Sequence, residues 1–295
     1  MKYNGFMILI ADKWKDYRLI DAGDKDKLER WDSVVLVRPD SQAIWHKREL
    51  PQWKQYDAIY HRSSKGGGNW EFKRKLPEYW TVSYRDLKFK VSPTNFKHTG
   101  LFPEQAVNWD WLAEKVKSSD HEVRALNLFG YTGAATMALA KAGCSEVVHV
   151  DAAKGMVNWA KENMILNNLQ DHTIRFIVDD ALKFVRRELR RGNRYDIILM
   201  DPPSYGRGPN NELWKIEDQL ETLIAETAAI LSDKPLAFLV NGYTTGFSAA
   251  ALNNLLIRHL IEKYPDGKVE TVEIGLPIRN SAMVLPCGIS GRFEL

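Results

Sequence analysis

The sequence predicts an α/β protein: a mostly parallel sheet of five strands plus a C-terminal antiparallel hairpin, preceded by a small β-rich domain. Three observations predict it. From about residue 104, short apolar runs alternate with helical patterns, as repeated βαβ units require. The last two apolar runs, 268–276 and 282–294, lie too close for a crossover helix and must pair antiparallel. Residues 1–90 hold only short runs of β-branched and aromatic residues broken by Gly, Pro and charge. The boundary is expected near 92, giving domains 1–92 and 93–295.

In chain order, 31–38 (WDSVVLVR), 42–45 (QAIW), 57–60 (DAIY) and 80–91 (WTVSYRDLKFKV) read as strands, with weak support for a helix over 46–56. Lys65, Gly66, Gly67 and Gly68 predict a mobile hairpin tip or loop. Residues 104–117 carry apolar positions at helical spacing. Then follow strand 124–129, helix 133–142, strand 146–150, helix 153–168, strand 173–178, helix 180–191, strand 195–200, helix 216–231, strand 235–241, helix 249–263 and the hairpin.

Composition narrows the class. A chain of 295 residues, 44% hydrophobic, can bury one large core or two ordinary ones. It has no apolar run near 18 residues, so no membrane span is expected. FMILIA at 6–11 is too short for the core of a signal peptide, so export is not expected. Two cysteines, Cys144 and Cys287, make neither a disulfide framework nor a metal site, and a reducing cytoplasm is the expected location. Residues 1–90 carry 19 Lys and Arg against 13 Asp and Glu, with six of the ten tryptophans. That module suits a polyanionic partner. An ordinary β-domain with a tryptophan core and a lysine-rich surface explains it equally well.

The ends of the parallel strands carry the chemistry. In such a sheet, ligands bind outside the carboxyl ends of the strands. LNLFGYTG (126–133) ends an apolar strand in a turn with two glycines, Gly130 and Gly133, where the missing Cβ allows close approach to a ligand. A dinucleotide site would carry a third glycine and present a pyrophosphate to the helix N-terminus. Tyr131 and Thr132 between the two glycines suit an adenosine with an amino-acid tail better. Asn127 and Phe129 belong to the same stretch. Asp151, 21 positions beyond Gly130, can accept hydrogen bonds from both ribose hydroxyls, with Ala152 beside it. Of Asp179 and Asp180, the second is expected to meet the adenine amino group, with Ala181 and Leu182 beside the ring. Asp179 is expected to cap the helix or face solvent. In KHTGLFPEQ (97–105), Phe102 and Gln105 could close over the cofactor.

Asp201, Pro202, Pro203, Ser204 and Tyr205 form the candidate acceptor site. Neither proline has an N–H, so the carbonyls are expected to point outward without a paired donor. An acid and a free carbonyl can accept both hydrogens of a nucleobase amino group, and Tyr205 offers a ring for stacking. Gly206, Arg207 and Gly208 suggest a mobile loop that could grip phosphate, completed by Trp214 and Lys215 or followed by them as the start of a helix.

LNLFGYTG, VDAAK, DDALKF and YDIILMDPPSYGRG together resemble the large-subunit ribosomal RNA methyltransferases of the cytosine C5 and guanine N7 types. The resemblance covers roughly residues 97–295. It implies the Rossmann-like class I methyltransferase sheet, S-adenosylmethionine as cofactor, an RNA substrate in rRNA processing, and Phe102 and Gln105 at the cofactor. The group also commonly carries an N-terminal β-domain for RNA. Two departures matter. The cysteine with which cytosine enzymes attack carbon 6 is replaced, and the matching position is Thr244, which has no thiolate to offer. Ser204 also separates Tyr205 from the prolines by one place more than is usual for exocyclic-amine enzymes. Direct transfer to a nitrogen is therefore the expectation. Two other readings stay open: a small-molecule or protein methyltransferase with the first domain as a lid, and a non-catalytic RNA-binding relic. Metal and membrane partners are not expected, and the sequence does not fix the oligomeric state.

Overall fold

A computed structural model describes residues 2–3, 6–63, 67–207, 213–244 and 246–295, with backbone alone at 2, 3, 6, 7 and 207. Lys65, Gly66 and Gly208, named above in two loops, lie outside the described residues. The chain forms two compact units. One comprises Leu9–Val107 and Ile274–Cys287, the other Lys2–Ile8, Asn108–Glu273 and Gly288–Leu295.

Two short strands open the chain, β1 (Lys2–Tyr3) and β2 (Phe6–Ile10). In the first unit, β3 (Tyr17–Gly23), β4 (Asp26–Trp31), β5 (Val34–Pro39), β6 (Ala58–Arg62) and β7 (Gly68–Phe72) form one sheet in that order. The β5–β6 pair is parallel and the others are antiparallel. A separate hairpin joins β8 (Trp80–Tyr84) and β9 (Leu87–Val91).

This unit departs most from expectation. The run 80–91 is two strands, turned at Arg85 in a left-handed backbone (φ 53°). Residues 42–45 form no strand. Ala43 and Trp45 instead offer their carbonyls to the Lys25 and Asp24 amides, so the segment lies over the β3–β4 turn. The helix over 46–56 is only a 3-10 turn, Pro51–Lys54, because Pro51 supplies no N–H and the segment buries no side chain. Strands β3 and β4 escaped the pattern because they bury charge. Glu29 is fully buried, accepting from Arg38 Nε at 2.6 Å, Arg38 Nη2 at 2.9 Å and the Tyr17 hydroxyl at 2.7 Å. Burial opposes ionisation of Glu29, but Arg38, Lys27 and these hydrogen bonds outweigh it and pull its pKa down to about 2.

The second unit begins its αβ units at α1 (Ala106–Lys117) and continues through β10 (Arg124–Leu128), α2 (Ala134–Ala142), β11 (Glu146–Asp151), α3 (Lys154–Leu166), β12 (Ile174–Val178) and α4 (Ala181–Arg191). Then come β13 (Ile197–Met200), the ribbon of β14 (Tyr205–Arg207) and β15 (Leu213–Lys215), α5 (Ile216–Ala228), β16 (Ala237–Gly242) and α6 (Ala249–Leu256). A π turn, Ile257–Ile261, extends α6, and β17 (Lys268–Pro277) and β18 (Val284–Glu294) end the chain. The nine-stranded sheet has the order β1-β2-β17-β18-β16-β13-β10-β11-β12. The strands from β16 to β12 are the expected five parallel ones, and β18 joins antiparallel to β16.

Why these runs are strands follows from their burial. In β10, Leu126 and Leu128 share one face, as do Val148 and Val150 in β11, Ile198 and Met200 in β13, and Phe238 and Val240 in β16. All eight pack into one core with Phe184 and Val185 of α4 and Leu220, Leu223 and Ile224 of α5. Each such side chain contributes about 1.5–3 kcal/mol by leaving water. Among the described residues no helix is long and apolar enough to cross a membrane.

Candidate functional site

Register brings the motif residues to one edge. Met200 of β13 pairs with Leu128 of β10, and Leu128 with Val150 of β11. The next residues along the three strands are therefore Asp201, Phe129 and Asp151, side by side at the carboxyl edge. With parallel strands about 4.8 Å apart, Asp201 and Asp151 emerge roughly 10 Å from one another, flanking the β10 turn.

That turn is held by its backbone. Phe129, Tyr131 and Gly133 all take left-handed conformations, with φ of 55°, 52° and 82°. The Gly130 amide donates to Val150 O at 2.9 Å and the Gly133 amide to Gly130 O at 2.9 Å. The two glycines answer first to packing inside the protein, not to a ligand. A Cβ on Gly130 would lie 2.4 Å from the His149 ring, and one on Gly133 would lie 2.9 Å from Ala160 Cβ. His149, which the sequence reading passed over inside VVHVD, is fully buried. Its pKa falls to about 3 because burial disfavours the imidazolium, so the ring under Gly130 is neutral. Asn127 Nδ2 donates to Thr136 Oγ1 at 2.9 Å, and Thr136 Oγ1 in turn sits 2.9 Å from His149 Nδ1. One of the two Asn127 amide hydrogens is thus used beneath the turn. Thr132 is buried, and its carbonyl accepts from Asn163 Nδ2 at 2.8 Å.

Asp151 is half-buried. Its Oδ2 accepts the Tyr131 amide and its Oδ1 the Ala153 amide, both at 2.8 Å, which clamps the β10 turn to the turn after β11. Burial raises its pKa, and the two N–H bonds oppose that rise. Each oxygen keeps lone-pair capacity for a further hydroxyl donor. Ala152, also half-buried, follows it.

One expectation at the next strand end is corrected. Asp180, not Asp179, caps α4, its Oδ1 accepting the Lys183 amide at 2.9 Å. Asp179 accepts the Asp180 amide at 2.9 Å and is paired with Arg187. A backbone of β type at Asp180 places its carboxylate over the first helical turn, where the orphan amides are. Ala181 is buried in the core with Val148 and Val150. Phe102 (half-buried, its ring 5.4 Å from His98) and Gln105 (buried) belong to the first unit, where Trp14 Nε1 donates to Pro103 O at 2.9 Å and Arg38 Nη1 to Lys97 O at 3.0 Å. These two bonds fix both ends of the 97–105 segment.

At the acceptor motif the carbonyls are not all free. The Pro203 carbonyl accepts Trp214 Nε1 at 2.5 Å, and the Ser204 carbonyl accepts the Ile216 amide at 3.1 Å. Among the described residues no hydrogen bond reaches the Pro202 carbonyl, which leaves it as an acceptor at the strand end, next to Asp201. Trp214 is buried on β15, and its ring lies 5.4 Å from that of Phe129. It therefore ties the β10 turn to the prolines, a link that no spacing rule announced. Tyr205, 58% exposed, starts the β14–β15 ribbon with its ring available to solvent. Ser204 Oγ and Thr244 Oγ1 form a hydroxyl pair at 2.7 Å, which puts Thr244 against the motif. The side chain of Arg207 lies outside the description.

Neither cysteine is poised as a nucleophile. Cys144 is buried, and burial followed by the nearby Asp196 pushes its thiol up to about 12. Cys287 is half-buried on β18, and desolvation holds its pKa well above the ordinary range. Among the described residues no three His, Cys, Asp or Glu side chains cluster as metal ligands.

Comparison with known proteins agrees with this geometry. A family model described as S-adenosylmethionine-dependent methyltransferase matches residues 54–232. The chain belongs to that family. Ribosomal RNA large subunit methyltransferase K of Neisseria meningitidis serogroup B is 25% identical over 228 residues, covering 74% of this chain and 63% of that protein. Methyltransferase K/L of Shewanella sp. strain MR-4 is 36% identical over 141 residues, 48% of this chain but only 19% of its own. The chain thus spans less than two thirds of these relatives. A SAM-dependent methyltransferase from Agrobacterium tumefaciens superposes with a TM-score of 0.90 at 38% identity, covering 97% of this chain and 93% of the other.

The strand-end chemistry fits the cofactor from which this family takes its name. A fixed carboxylate with spare lone pairs suits vicinal ribose hydroxyls, and a pinned turn with no diphosphate fingerprint suits an adenosine carrying an amino-acid tail.

Proposed function

We propose that the chain methylates a base of ribosomal RNA in the cytoplasm by direct transfer to a nitrogen. The observation that carries this is the single register row that sets Asp201 and Asp151 on either side of the β10 turn. In this reading Asp151 holds the ribose, Asp180 uses the oxygen left over from capping for the adenine, and Asn127, Phe129, Gly130, Tyr131, Thr132, Gly133, Ala152 and Ala181 shape the surrounding pocket. The resemblance also assigns Phe102 and Gln105 to the cofactor. The bound cofactor supplies an electrophilic methyl on a sulfonium sulfur.

The chain's own task is then alignment. Asp201 and the Pro202 carbonyl accept hydrogens from the acceptor nitrogen and aim its lone pair, and Tyr205 stacks the base. Trp214, through Pro203, sets where that acceptor pair stands relative to the β10 turn. Thr244 in the cysteine's place and two thiols raised by burial favour direct transfer over a covalent adduct. The basic first domain and the names of the relatives support RNA as the substrate.

Purified protein is to be assayed with radiolabelled cofactor on unmodified ribosomal RNA, tRNA and protein fractions. Label in ribosomal RNA, abolished by Asp201→Ala with cofactor binding retained, is expected. Label confined to protein or small molecules rejects the RNA substrate and favours the lid reading, and no cofactor binding at all favours the relic.

A further inference from the structure

The first unit carries a cleft of its own, of about 300 Å³, lined by none of the motif residues described above. The β3–β4 turn, Pro39 and Ser41 beyond β5, and the end of β6 line it. Its ionic groups are not equivalent. Asp24 accepts from His46 Nδ1 at 2.9 Å and the Lys47 amide at 3.2 Å, Asp26 is paired with Lys47 Nζ at 2.8 Å, and His61 Nε2 with Glu71 at 2.8 Å. Among the described residues Lys25 and Arg62 have no ion-pair partner. Lys47 thus serves both Asp24 and Asp26, while Lys25 and Arg62 are the cleft's cations held in no ion pair among the described residues.

The backbone that carries Lys25 is fixed. Lys25 holds a left-handed backbone (φ 65°), with its amide on Ala43 O at 2.7 Å and its carbonyl accepting the Asp40 amide at 2.8 Å. Behind the wall, Lys97 Nζ reaches the Pro39 carbonyl at 3.4 Å. Burial first, then Lys27, Arg38 and Arg62, weaken the hold of Lys97 on its proton against the opposing pull of Asp40.

Aromatic rings continue the same face. Tyr60 pairs with Trp70 across β6 and β7, and residues two apart on a strand share a face, so Arg62, Tyr60, Trp70 and Phe72 all point one way. Tyr60 and Trp70 meet edge to face at 5.4 Å, and Phe72 follows Trp70 at 6.2 Å with half its surface exposed. Trp70 Nε1 donates to the Thr94 and Phe96 carbonyls, which holds the exposed Phe96 nearby. Unpaired cations in a cleft beside exposed rings are the chemistry of single-stranded nucleic acid: phosphate on the cations, bases on the rings.

We propose that this cleft is a phosphate subsite for single-stranded RNA, in which Lys25, Arg62 and the Ser41 hydroxyl hold one backbone phosphodiester and a neighbouring base stacks on Phe72. It rests on the RNA reading of the function and adds to it a contact made by residues outside the strand-end motifs.

The test uses the full chain and a fluorescein-labelled oligouridylate, followed by anisotropy across a salt series. Lys25→Gln with Arg62→Gln is expected to weaken binding by about tenfold or more and to reduce the salt slope by about one per lost cation. Phe72→Ala is expected to weaken binding by about fivefold or more with the slope unchanged. Calorimetric binding of S-adenosylhomocysteine and the circular-dichroism melt should match wild type in every variant. Wild-type affinity and slope in the double variant overturn the subsite, and if wild type still methylates RNA the substrate reading survives that result. Oligonucleotide binding that depends on Lys25 and Arg62 without any RNA methylation supports the subsite and sinks the substrate reading instead. No binding of the oligouridylate by wild type, or equal affinity for uridine monophosphate, overturns the RNA subsite.

Discussion

Trp214→Phe is the sharpest perturbation of the site. Phenylalanine keeps an aromatic ring against Phe129 but deletes the indole N–H that donates to Pro203 O, together with part of the ring volume. Pro203 is exposed, so water can replace the donor, and the net stability loss is about 0.5–1.5 kcal/mol. In a second unit of this size that corresponds to a fall in Tm of at most a few degrees. The consequence for the reaction is larger, because the freed prolines carry Asp201 and the Pro202 carbonyl, and a displacement near 1 Å costs up to about 100-fold in rate. We expect kcat to fall about 10- to 100-fold, with the cofactor Kd within about twofold of wild type. Single-turnover rates with labelled cofactor and calorimetry with S-adenosylhomocysteine measure the two separately. Trp214→Ala, which also empties a buried aromatic site, should lower stability by about 3–5 kcal/mol and weaken cofactor binding as well. An unchanged kcat in Trp214→Phe, or a Kd that rises as much as kcat falls, refutes the bridge.

Other outcomes test separate parts of the structure. Glu29 has its folded pKa lowered from 4.5 to about 2, so it stabilises the fold above pH 4.5 and that contribution, roughly 3 kcal/mol, is lost as pH falls towards 2. Glu29→Gln should lose about 3–5 kcal/mol at neutral pH by stranding buried Arg38, and guanidinium denaturation should show the acid dependence flattened. A wild-type pH profile in the variant contradicts this. Cys144→Ser and Cys287→Ser should each retain methyl transfer. Abolished activity in either with the fold preserved reinstates a covalent mechanism.

The α/β half was legible because the strands β10, β11, β13 and β16 are buried on both faces and the runs between them have helical spacing, so spacing alone located these four and the edge strand β12 within a residue or two of their ends. The first unit was not. Strands β3 and β4 carry Asp21 and Glu29 into the interior, where Arg48 and Arg38 satisfy them, and a pattern that places charge outside cannot see such a strand. Strand β2, FMILI, joins the large sheet instead of the β-rich one, since its partner β17 lies more than 250 residues away in sequence. At the site, local motifs marked the strand ends, but contacts distant in sequence were invisible. Ser204 meets Thr244 across 40 positions and Trp214 meets Phe129 across 85, neither implied by spacing. His149 could have been suspected, being the sole polar residue inside an apolar strand next to a glycine turn.

Calorimetric titration of S-adenosylhomocysteine into wild type and Asp151→Ala tests the cofactor site most directly. Asp151 would accept one charge-assisted hydrogen bond from each ribose hydroxyl, each worth about 1.5–3 kcal/mol, so the variant should bind about 100-fold or more weakly while Asp201→Ala binds normally. Equal affinity in wild type and Asp151→Ala, with both folded, would place the nucleoside somewhere other than the carboxyl edge of the sheet.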